Sequence, residues 1–259
     1  MKSFIEKNII KFKNDKISEI TDPIVNESTI SLVINYKQLT SIACTPEHLK
    51  DLAAGFLFTS GITSEDNKLL DLKYDEKNNV VHIKMENNDI IKELIFSKMR
   101  PVGCGSGELL FAKRNIQRLE NDLKIKSLTI SSLMKEFNKG SELFLKTGGV
   151  HSAALADTEK MLVFREDIGR HNAVDKVIGN MYLNDISLTD KVILTSGRIS
   201  SEIVMKVINC KIPMIISRSA PTIKAVELAE KNNITLIGFA RSTNFNVYTG
   251  SQNINFIQE

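Results

Sequence analysis

Lys191-Val192-Ile193-Leu194-Thr195 opens the stretch of sequence that decides the fold, because this short apolar run predicts a buried strand. A helical pattern follows from Ser200 to Ile208. Met214-Ile215-Ile216 and Ile234-Thr235-Leu236-Ile237 predict two further strands, and the residues from Thr222 to Lys231 predict the helix between them. Strands that alternate with helices are typical of a parallel sheet covered on both faces. The sequence therefore predicts a three-layer α/β core.

Upstream of this stretch, a pair of strands and a helix extend the same core. His151 to Ala156 and Lys160 to Arg165 predict paired strands, and Asn172 to Asn180 predicts a helix with Asn172 as a possible cap. Two shorter helices are expected, from Leu109 to Leu119 and from Ser131 to Lys139.

The first third of the chain predicts a separate, smaller α+β module. Alternating β-branched residues from Ser28 to Ile42 indicate a hairpin, and Val80 to Met85 indicates another strand. Thr45 and Pro46 form a typical helix start, which places a helix from there to Gly61. We expect a smaller α+β domain at residues 1-100 and an α/β domain at 101-259.

Composition and charge limit the possible function classes. The 259 residues are 42% hydrophobic and 25% charged, with a net charge of +3, so we expect a globular protein without a nucleic-acid partner. Met1 to Ile20 lacks a signal-peptide core, and no apolar run has membrane-spanning length. The three cysteines, Cys44, Cys104 and Cys210, match neither a disulfide framework nor a metal-ligand spacing. We expect a cytoplasmic protein with no membrane association.

One cysteine lies in a glycine-dense turn, Arg100-Pro101-Val102-Gly103-Cys104-Gly105-Ser106-Gly107-Glu108. Glycine on both sides of Cys104 leaves its sulfur accessible, which suits sulfur chemistry. The alternative is an ordinary turn that happens to contain a cysteine. Cys44 and Cys210 lie in apolar surroundings and are interpreted as structural.

Polar clusters occur where the predicted core strands end or begin, and ligands of open α/β sheets bind at such loops. Two adjacent glycines precede His151, and Arg170 and His171 lie at a strand-to-helix junction. Each of the last three strands is followed by an arginine with hydroxyl neighbours. The candidates are Arg198, Ser217 and Arg218, and then Phe239, Ala240, Arg241, Ser242, Thr243 and Asn244. Any one cluster could be a capped helix with a solvated arginine, or a core histidine, but the series favours an anionic ligand that carries a nucleotide.

These residues resemble the FdhD family of sulfur carriers that formate dehydrogenase requires. The resemblance covers the chain from about Ile24 to Tyr248, and its strongest segments are Thr147–Ser152, Phe164–Lys176, Thr195–Arg198, Ser217–Thr222 and Gly238–Arg241. It implies a fold similar to that of cytidine deaminases with a smaller appended domain. It also implies that Cys104 carries a persulfide, accepts sulfur from a cysteine desulfurase and passes it to the molybdenum bis(molybdopterin guanine dinucleotide) cofactor, which is bound as a substrate.

With this ligand in view, binding of its guanine dinucleotide and phosphates is assigned first to the loop from Phe239 to Asn244. His151, Arg170, His171, Arg198, Ser217 and Arg218 are further candidates for the same cavity. The expected partners are the desulfurase and formate dehydrogenase, and a homodimer is possible.

The sequence departs from the pattern of many relatives, which have a Cys-x-x-Cys loop, because Gly107 occupies the second cysteine position. A two-cysteine relay is thereby in doubt, whereas a one-cysteine carrier is not. The zinc ligands and catalytic Glu of deaminases are also missing, so we expect no metal. Two other functions stay open: a non-catalytic chaperone that binds the molybdenum cofactor, and a nucleotide hydrolase or deaminase.

Overall fold

The computed structural model describes residues 2–63, 67–87 and 118–256. The cysteine loop with Cys104, most of the helix expected from Leu109, and the proposed boundary at residue 100 lie outside these residues.

The described residues of the amino-terminal part form a long hairpin, a four-stranded sheet and one helix. The hairpin consists of β1 (Phe4–Lys13) and β2 (Lys16–Val25), and the helix is α1 (Leu49–Thr59). The four-stranded sheet has the order β4-β3-β6-β5, formed by β3 (Ser28–Ile34), β4 (Lys37–Cys44), β5 (Leu69–Asp75) and β6 (Val80–Met85).

The carboxy-terminal part alternates strands with helices. In chain order its elements are β7 (Ile125–Lys126), α2 (Ser127–Lys139), α3 (Glu142–Thr147), β8 (His151–Ala156), β9 (Met161–Asp167), α4 (Arg170–Leu183), β10 (Val192–Thr195), α5 (Ser201–Asn209), β11 (Met214–Ser217), α6 (Ile223–Lys231), β12 (Thr235–Arg241), β13 (Asn244–Thr249) and β14 (Ile254–Asn255). β14 pairs with β7 in parallel, which ties the end of the chain to the start of this part.

The central sheet has six strands in the order β13-β12-β11-β10-β8-β9. β10, β11 and β12 are parallel, and the neighbours β8 and β13 run antiparallel to them. Because successive side chains of a strand point to opposite faces, each strand contributes to two cores. Ala153, Leu155, Ile193, Ile215 and Leu236 pack with the buried residues of α4, α5 and α6, whereas Ala154, Val192, Leu194, Ile216 and Ile237 pack with those of α2. The three-layer α/β fold is therefore confirmed.

A third core lies in the smaller α+β module, where α1 covers one face of the four-stranded sheet. Leu52 and Leu57 of the helix pack with alternate residues of β3 and β6, which include Ile30, Leu32 and Ile83. The module is as expected, but α1 begins later than the Thr45-Pro46 pattern predicts. His48 precedes it in a left-handed conformation, with φ of 54°. Thr45 is fully buried and bonds to the α/β core instead of capping the helix.

The sequence pattern did not predict β1, β2, β5, β7, α3, β13 and β14. Most side chains of the β1–β2 hairpin are exposed, including Ile10, Phe12 and Ile17, so the strands lack the clean alternation that marks a half-buried strand. None of the helices in the described part of the chain is long and apolar enough to cross a membrane.

Helices α1 and α4 approach so closely that only glycine fits at their contact. A Cβ on Gly55 would overlap the carbonyl oxygen of Asp175, and a Cβ on Gly179 would overlap that of Asp51. This contact joins the smaller module to the α/β core through backbone atoms.

Candidate functional site

The predicted site residues follow or precede core strands at one edge of the central sheet. Because β10, β11 and β12 are parallel, their carboxyl ends meet at this edge, and the starts of the antiparallel strands β8 and β13 meet there too. His151 begins β8, and Arg170 and His171 begin α4 just after β9. The topology therefore places every candidate site residue except Cys104 at this edge.

Hydrogen bonds hold the loops of this edge side by side. The Ser196 hydroxyl accepts from the Ser152 backbone N–H at 2.9 Å, and the buried Ser217 hydroxyl donates to the Gly197 carbonyl at 2.7 Å. Further along, the Phe239 N–H donates to the Ser219 carbonyl at 3.1 Å. The backbone of the site is preorganised across four strands, which lowers the entropy cost of binding a ligand.

Three cationic or imidazole side chains gather at the centre of the edge. Gly197 makes room for Arg170, because a Cβ at Gly197 would lie only 2.9 Å from the Cβ of Arg170. The Nε of Arg170 is buried, and it has no hydrogen-bond partner within residues 2–63, 67–87 and 118–256. Nδ1 of His151 lies 3.4 Å from the Ser196 hydroxyl. The Arg218 guanidinium lies over the Phe144 ring, 5.5 Å from its centre.

The electrostatics of the edge suit an anion. Burial lowers the pKa of His151, and the positive charges of Arg170 and Arg218 lower it further, whereas Asp167 acts in the opposite direction. A histidine that loses its proton beside two guanidinium groups marks a region of positive potential. Such a region can bind phosphate or another polyanion through charge-assisted hydrogen bonds.

His171 lies on the same helical turn as Arg170 but contacts the neighbouring helix. Its Nε2 is 3.0 Å from Oε2 of Glu202 on α5. Burial is the main cause that lowers the pKa of His171, with Arg170 and Lys206 acting in the same direction.

The remaining candidates are placed differently from the central group. Arg198 is exposed. The segment from Phe239 to Asn244 is not the loop that the sequence predicts: it comprises the last three residues of β12, a turn at Ser242 and Thr243, and the first residue of the antiparallel β13. Phe239 and Ser242 have positive φ values of 50° and 49°, and Ala240 is 1% exposed among core residues. The Arg241 side chain is exposed, at the end of this edge that lies next to β13. The binding roles of these residues stay predictions.

The polar segment from Glu166 to Asn172, which contains the strand-to-helix junction, is divided by the structure into two parts. The two carboxylates point inward: Glu166 accepts from the backbone N–H groups of Leu143 and Phe144 at 2.9 and 3.0 Å, and Asp167 is fully buried. Asn172 does not cap α4, since Gly169 holds that position and Asn172 donates to Asp167 at 2.8 Å. The two carboxylates therefore bind groups of the protein itself, whereas Arg170 Nε has no partner in the described part of the chain.

A buried lysine is the residue that the sequence analysis missed. Lys176 is fully buried and its Nζ lies 2.7 Å from Asp167 Oδ2 and 2.6 Å from the Thr45 hydroxyl. Its signal in the sequence is a charged side chain between the core residues Val174 and Val177 of an otherwise buried helix face. Charged groups are almost never fully buried without a partner, so such a lysine indicates a hidden carboxylate.

Cys44 and Cys210, the two cysteines among the described residues, are both buried. Burial, together with the nearby Asp167 carboxylate, raises the pKa of the Cys44 thiol to about 12. A buried thiol of this kind is not an accessible nucleophile, which agrees with the structural interpretation.

The lowered pKa of His151 predicts an acid-dependent loss of stability. The folded-state pKa lies below the usual 6.5, so below about pH 6.5 the unfolded chain binds a proton that the folded protein does not. The contribution of His151 to the free energy of unfolding is fully present above about pH 6.5 and is lost as the pH falls below it. His151→Asn should flatten the slope of unfolding free energy between pH 6.5 and 5 by up to about 1 kcal/mol per pH unit.

The slope is measured by denaturant titration at several pH values. His82→Asn, at an exposed position on β6, is the matched control for the loss of an imidazole. An unchanged slope in His151→Asn would contradict the prediction.

Fold and site together define an α/β protein with a cationic site at the carboxyl edge of its parallel strands, joined to a smaller α+β module. The family model described as the FdhD/NarQ family matches residues 25–255. The chain therefore belongs to the FdhD/NarQ family, which confirms the resemblance drawn from the sequence.

Relatives and a solved structure match nearly the whole chain. The sulfur carrier protein FdhD of Bacillus subtilis is 37% identical over 253 residues, which cover 96% of this chain and 96% of that protein. The same protein of Bacillus pumilus is 36% identical over 255 residues, covering 96% and 97%. A crystal structure of a candidate formate dehydrogenase accessory protein from Desulfotalea psychrophila superimposes with a TM-score of 0.81 at 23% identity, covering 98% and 100% of the two chains. That likeness supports the fold.

Across the described ranges, no group of three or more His, Cys, Asp or Glu side chains is arranged to hold a metal ion. The expectation that the protein binds no zinc stays a prediction.

Proposed function

We propose that this protein is a sulfur carrier that serves formate dehydrogenase. Cys104 accepts sulfur as a persulfide from a cysteine desulfurase, and the carrier passes this sulfur to the molybdenum bis(molybdopterin guanine dinucleotide) cofactor, which is its substrate. Membership of the FdhD/NarQ family and the name of the two Bacillus relatives, sulfur carrier protein FdhD, support this function. We further propose that the protein works in the cytoplasm.

The observation that carries the proposal is the cationic centre at the sheet edge. The proposed substrate carries several phosphates, and Arg170 offers a buried Nε without a partner in the described part of the chain. Arg218 adds a second guanidinium, and His151 and Ser196 add polar groups that accept or donate hydrogen bonds. A ligand with several phosphates gains charge-assisted hydrogen bonds from such a set.

The loading step needs only one cysteine. The Cys104 thiolate attacks the outer sulfur of the desulfurase persulfide, a new S–S bond forms on Cys104, and the desulfurase cysteine leaves as a thiolate. A thiolate is the nucleophile in such exchanges. Because this chain has Gly107 in place of a second cysteine, the persulfide is passed on without an internal disulfide step.

The loading step is tested by the intact mass of the protein after incubation with a cysteine desulfurase and cysteine. We expect one added sulfur that a reductant removes and that peptide mapping assigns to Cys104. Cys44→Ala, which removes a buried thiol, is the matched control and should still be loaded. Absence of sulfur on Cys104 beside an active desulfurase would count against the carrier function.

Cys104→Ala separates the carrier from a cofactor-binding chaperone, because the cationic centre would serve both. The carrier predicts that this variant binds guanosine diphosphate like the wild type, yet abolishes activation of formate dehydrogenase in cells that lack the native protein. Persisting activation would favour the chaperone. Turnover of free nucleotide by the wild type would instead favour a hydrolase or deaminase.

Arg170→Gln tests the cationic centre itself. The substitution keeps a polar side chain but removes the charge and the Nε donor, so we expect the affinity for guanosine diphosphate to fall about tenfold, as for one charge-assisted hydrogen bond. Isothermal titration calorimetry measures this. Lys231→Gln at the end of α6, at the opposite edge of the sheet, is the control for net charge and should bind normally. If Arg170→Gln and Lys231→Gln bound guanosine diphosphate with equal affinity, Arg170 would not belong to the binding site.

A further inference from the structure

Two buried clusters of the same composition join the smaller module to the α/β core. Each contains a threonine from the smaller module, and an aspartate and a lysine from the core. We call Thr45, Asp167 and Lys176 the first triad, and Thr59, Asp175 and Lys206 the second triad. The two threonines are fully buried, and the most exposed of the four charged side chains is 7% exposed.

The hydrogen bonds of the two triads follow the same pattern. In the first triad, the lysine donates to the threonine hydroxyl at 2.6 Å, and this hydroxyl donates to the aspartate carboxylate at 3.1 Å. In the second triad the corresponding distances are 2.9 and 2.8 Å. Both lysines form an ion pair with the aspartate of their own triad, at 2.7 and 2.8 Å.

Only the first triad reaches the start of α4. The second carboxylate oxygen of Asp167 accepts from the Gly169 backbone N–H at 2.9 Å and from the Asn172 side chain at 2.8 Å. Arg170 and His171 are the two residues between these contacts. The position of this carboxylate therefore determines where the first turn of α4 lies, and with it the direction of both side chains.

The carboxylate itself is held from the smaller module. The Thr45 N–H donates to Oδ2 at 3.0 Å, next to the Lys176 ammonium and the Thr45 hydroxyl. A side chain that binds a ligand needs a support that fixes its geometry, because a small displacement costs much of the interaction.

We propose that the first triad is a positioning device, in which Thr45 and Lys176 fix Asp167 so that Arg170 is held ready for the anion. This inference rests on the proposed function, since it concerns the same site. Thr45, Asp167 and Lys176 do not touch the ligand; they act through the first turn of α4. The smaller module thereby takes part in binding although its sheet lies outside the site.

The chain supplies its own control for this proposal. Thr45→Val removes the hydroxyl of the first triad, and Thr59→Val removes that of the second, with the same change in side-chain shape. Both variants lose a buried hydrogen bond to a charged pair, so both should lose stability to a similar extent. Thr45→Ser, which keeps the hydroxyl, should rescue the first variant.

The experiment measures binding of guanosine diphosphate and amide hydrogen exchange of residues 169–173 in the free protein. We expect Thr45→Val to weaken binding about tenfold and to speed the exchange of this turn, as for one lost hydrogen bond to a charged group. Thr59→Val should leave both quantities at the wild-type level.

Equal effects of the two valine variants, or no effect of either, would overturn the positioning role. If the wild type failed to bind guanosine diphosphate, the proposed function would be in error. The exchange of residues 169–173 would still decide whether the triad fixes this turn, because that measurement needs no ligand.

Discussion

Gly179→Ala is expected to lower the free energy of unfolding by about 3 kcal/mol or more, which for a domain of this size approaches global unfolding. The new Cβ would overlap the Asp51 carbonyl oxygen and lie 2.5 Å from the backbone nitrogen of Gly55. These neighbours are backbone atoms of α1, so they cannot move by changing a rotamer. The helices would have to separate, which opens the contact between the smaller module and the core.

The control for this substitution is Gly140→Ala at the end of α2. A Cβ there would lie 3.5 Å from the Phe164 ring, an ordinary contact, and Gly140 has a φ of −72° that alanine adopts without strain. Denaturant titration of both variants measures the difference. If Gly179→Ala were as stable as Gly140→Ala, the close approach of α1 and α4 would not exist in solution.

Lys176→Met is expected to destabilise the protein by about 3 to 5 kcal/mol, because it leaves Asp167 buried without its cation. Both side chains of the ion pair are fully buried, so water cannot solvate the Asp167 carboxylate when the ammonium group is removed. Methionine fills a similar volume, and the loss therefore reflects charge and not packing. The midpoint of urea unfolding measures the effect.

Lys73→Met is the matched control, since it breaks an ion pair with Asp71 on the surface of β5. The side chains of that pair are 78% and 48% exposed, and exposed pairs contribute little because water and salt screen them. Its unfolding midpoint should stay close to that of the wild type. A shift in Lys176→Met no larger than in Lys73→Met would mean that water reaches Asp167.

Much of the fold was readable from local patterns. The strands β10, β11 and β12 are short, mainly apolar runs followed by Ser or Arg residues, and residues from both their faces are buried, so composition alone identifies them. The β1–β2 hairpin escaped prediction because its apolar residues are largely exposed. The start of α1 was misplaced because Thr45-Pro46 has the local signature of a helix cap, whereas the Thr45 hydroxyl bonds to a carboxylate 122 residues away.

The candidate site was predictable in its position but not in its contacts. Alternating strands and helices already imply that the loops with His151, Arg170 and Arg218 meet at one edge of a sheet. The same pattern could not show that Gly197 makes room for Arg170, or that the carboxylates of the polar segment face inward.

The sequence by itself determined the alternation of strands and helices and the family, and the glycine-dense turn around Cys104 stays its prediction. Only the tertiary structure decided which polar groups support the site and which face a ligand. The physical reason is that a side chain beside a strand end turns toward whichever partner completes its hydrogen bonds. For Asp167 and Lys176 that partner is Thr45 of the smaller module, brought there by the packing of α1 on α4.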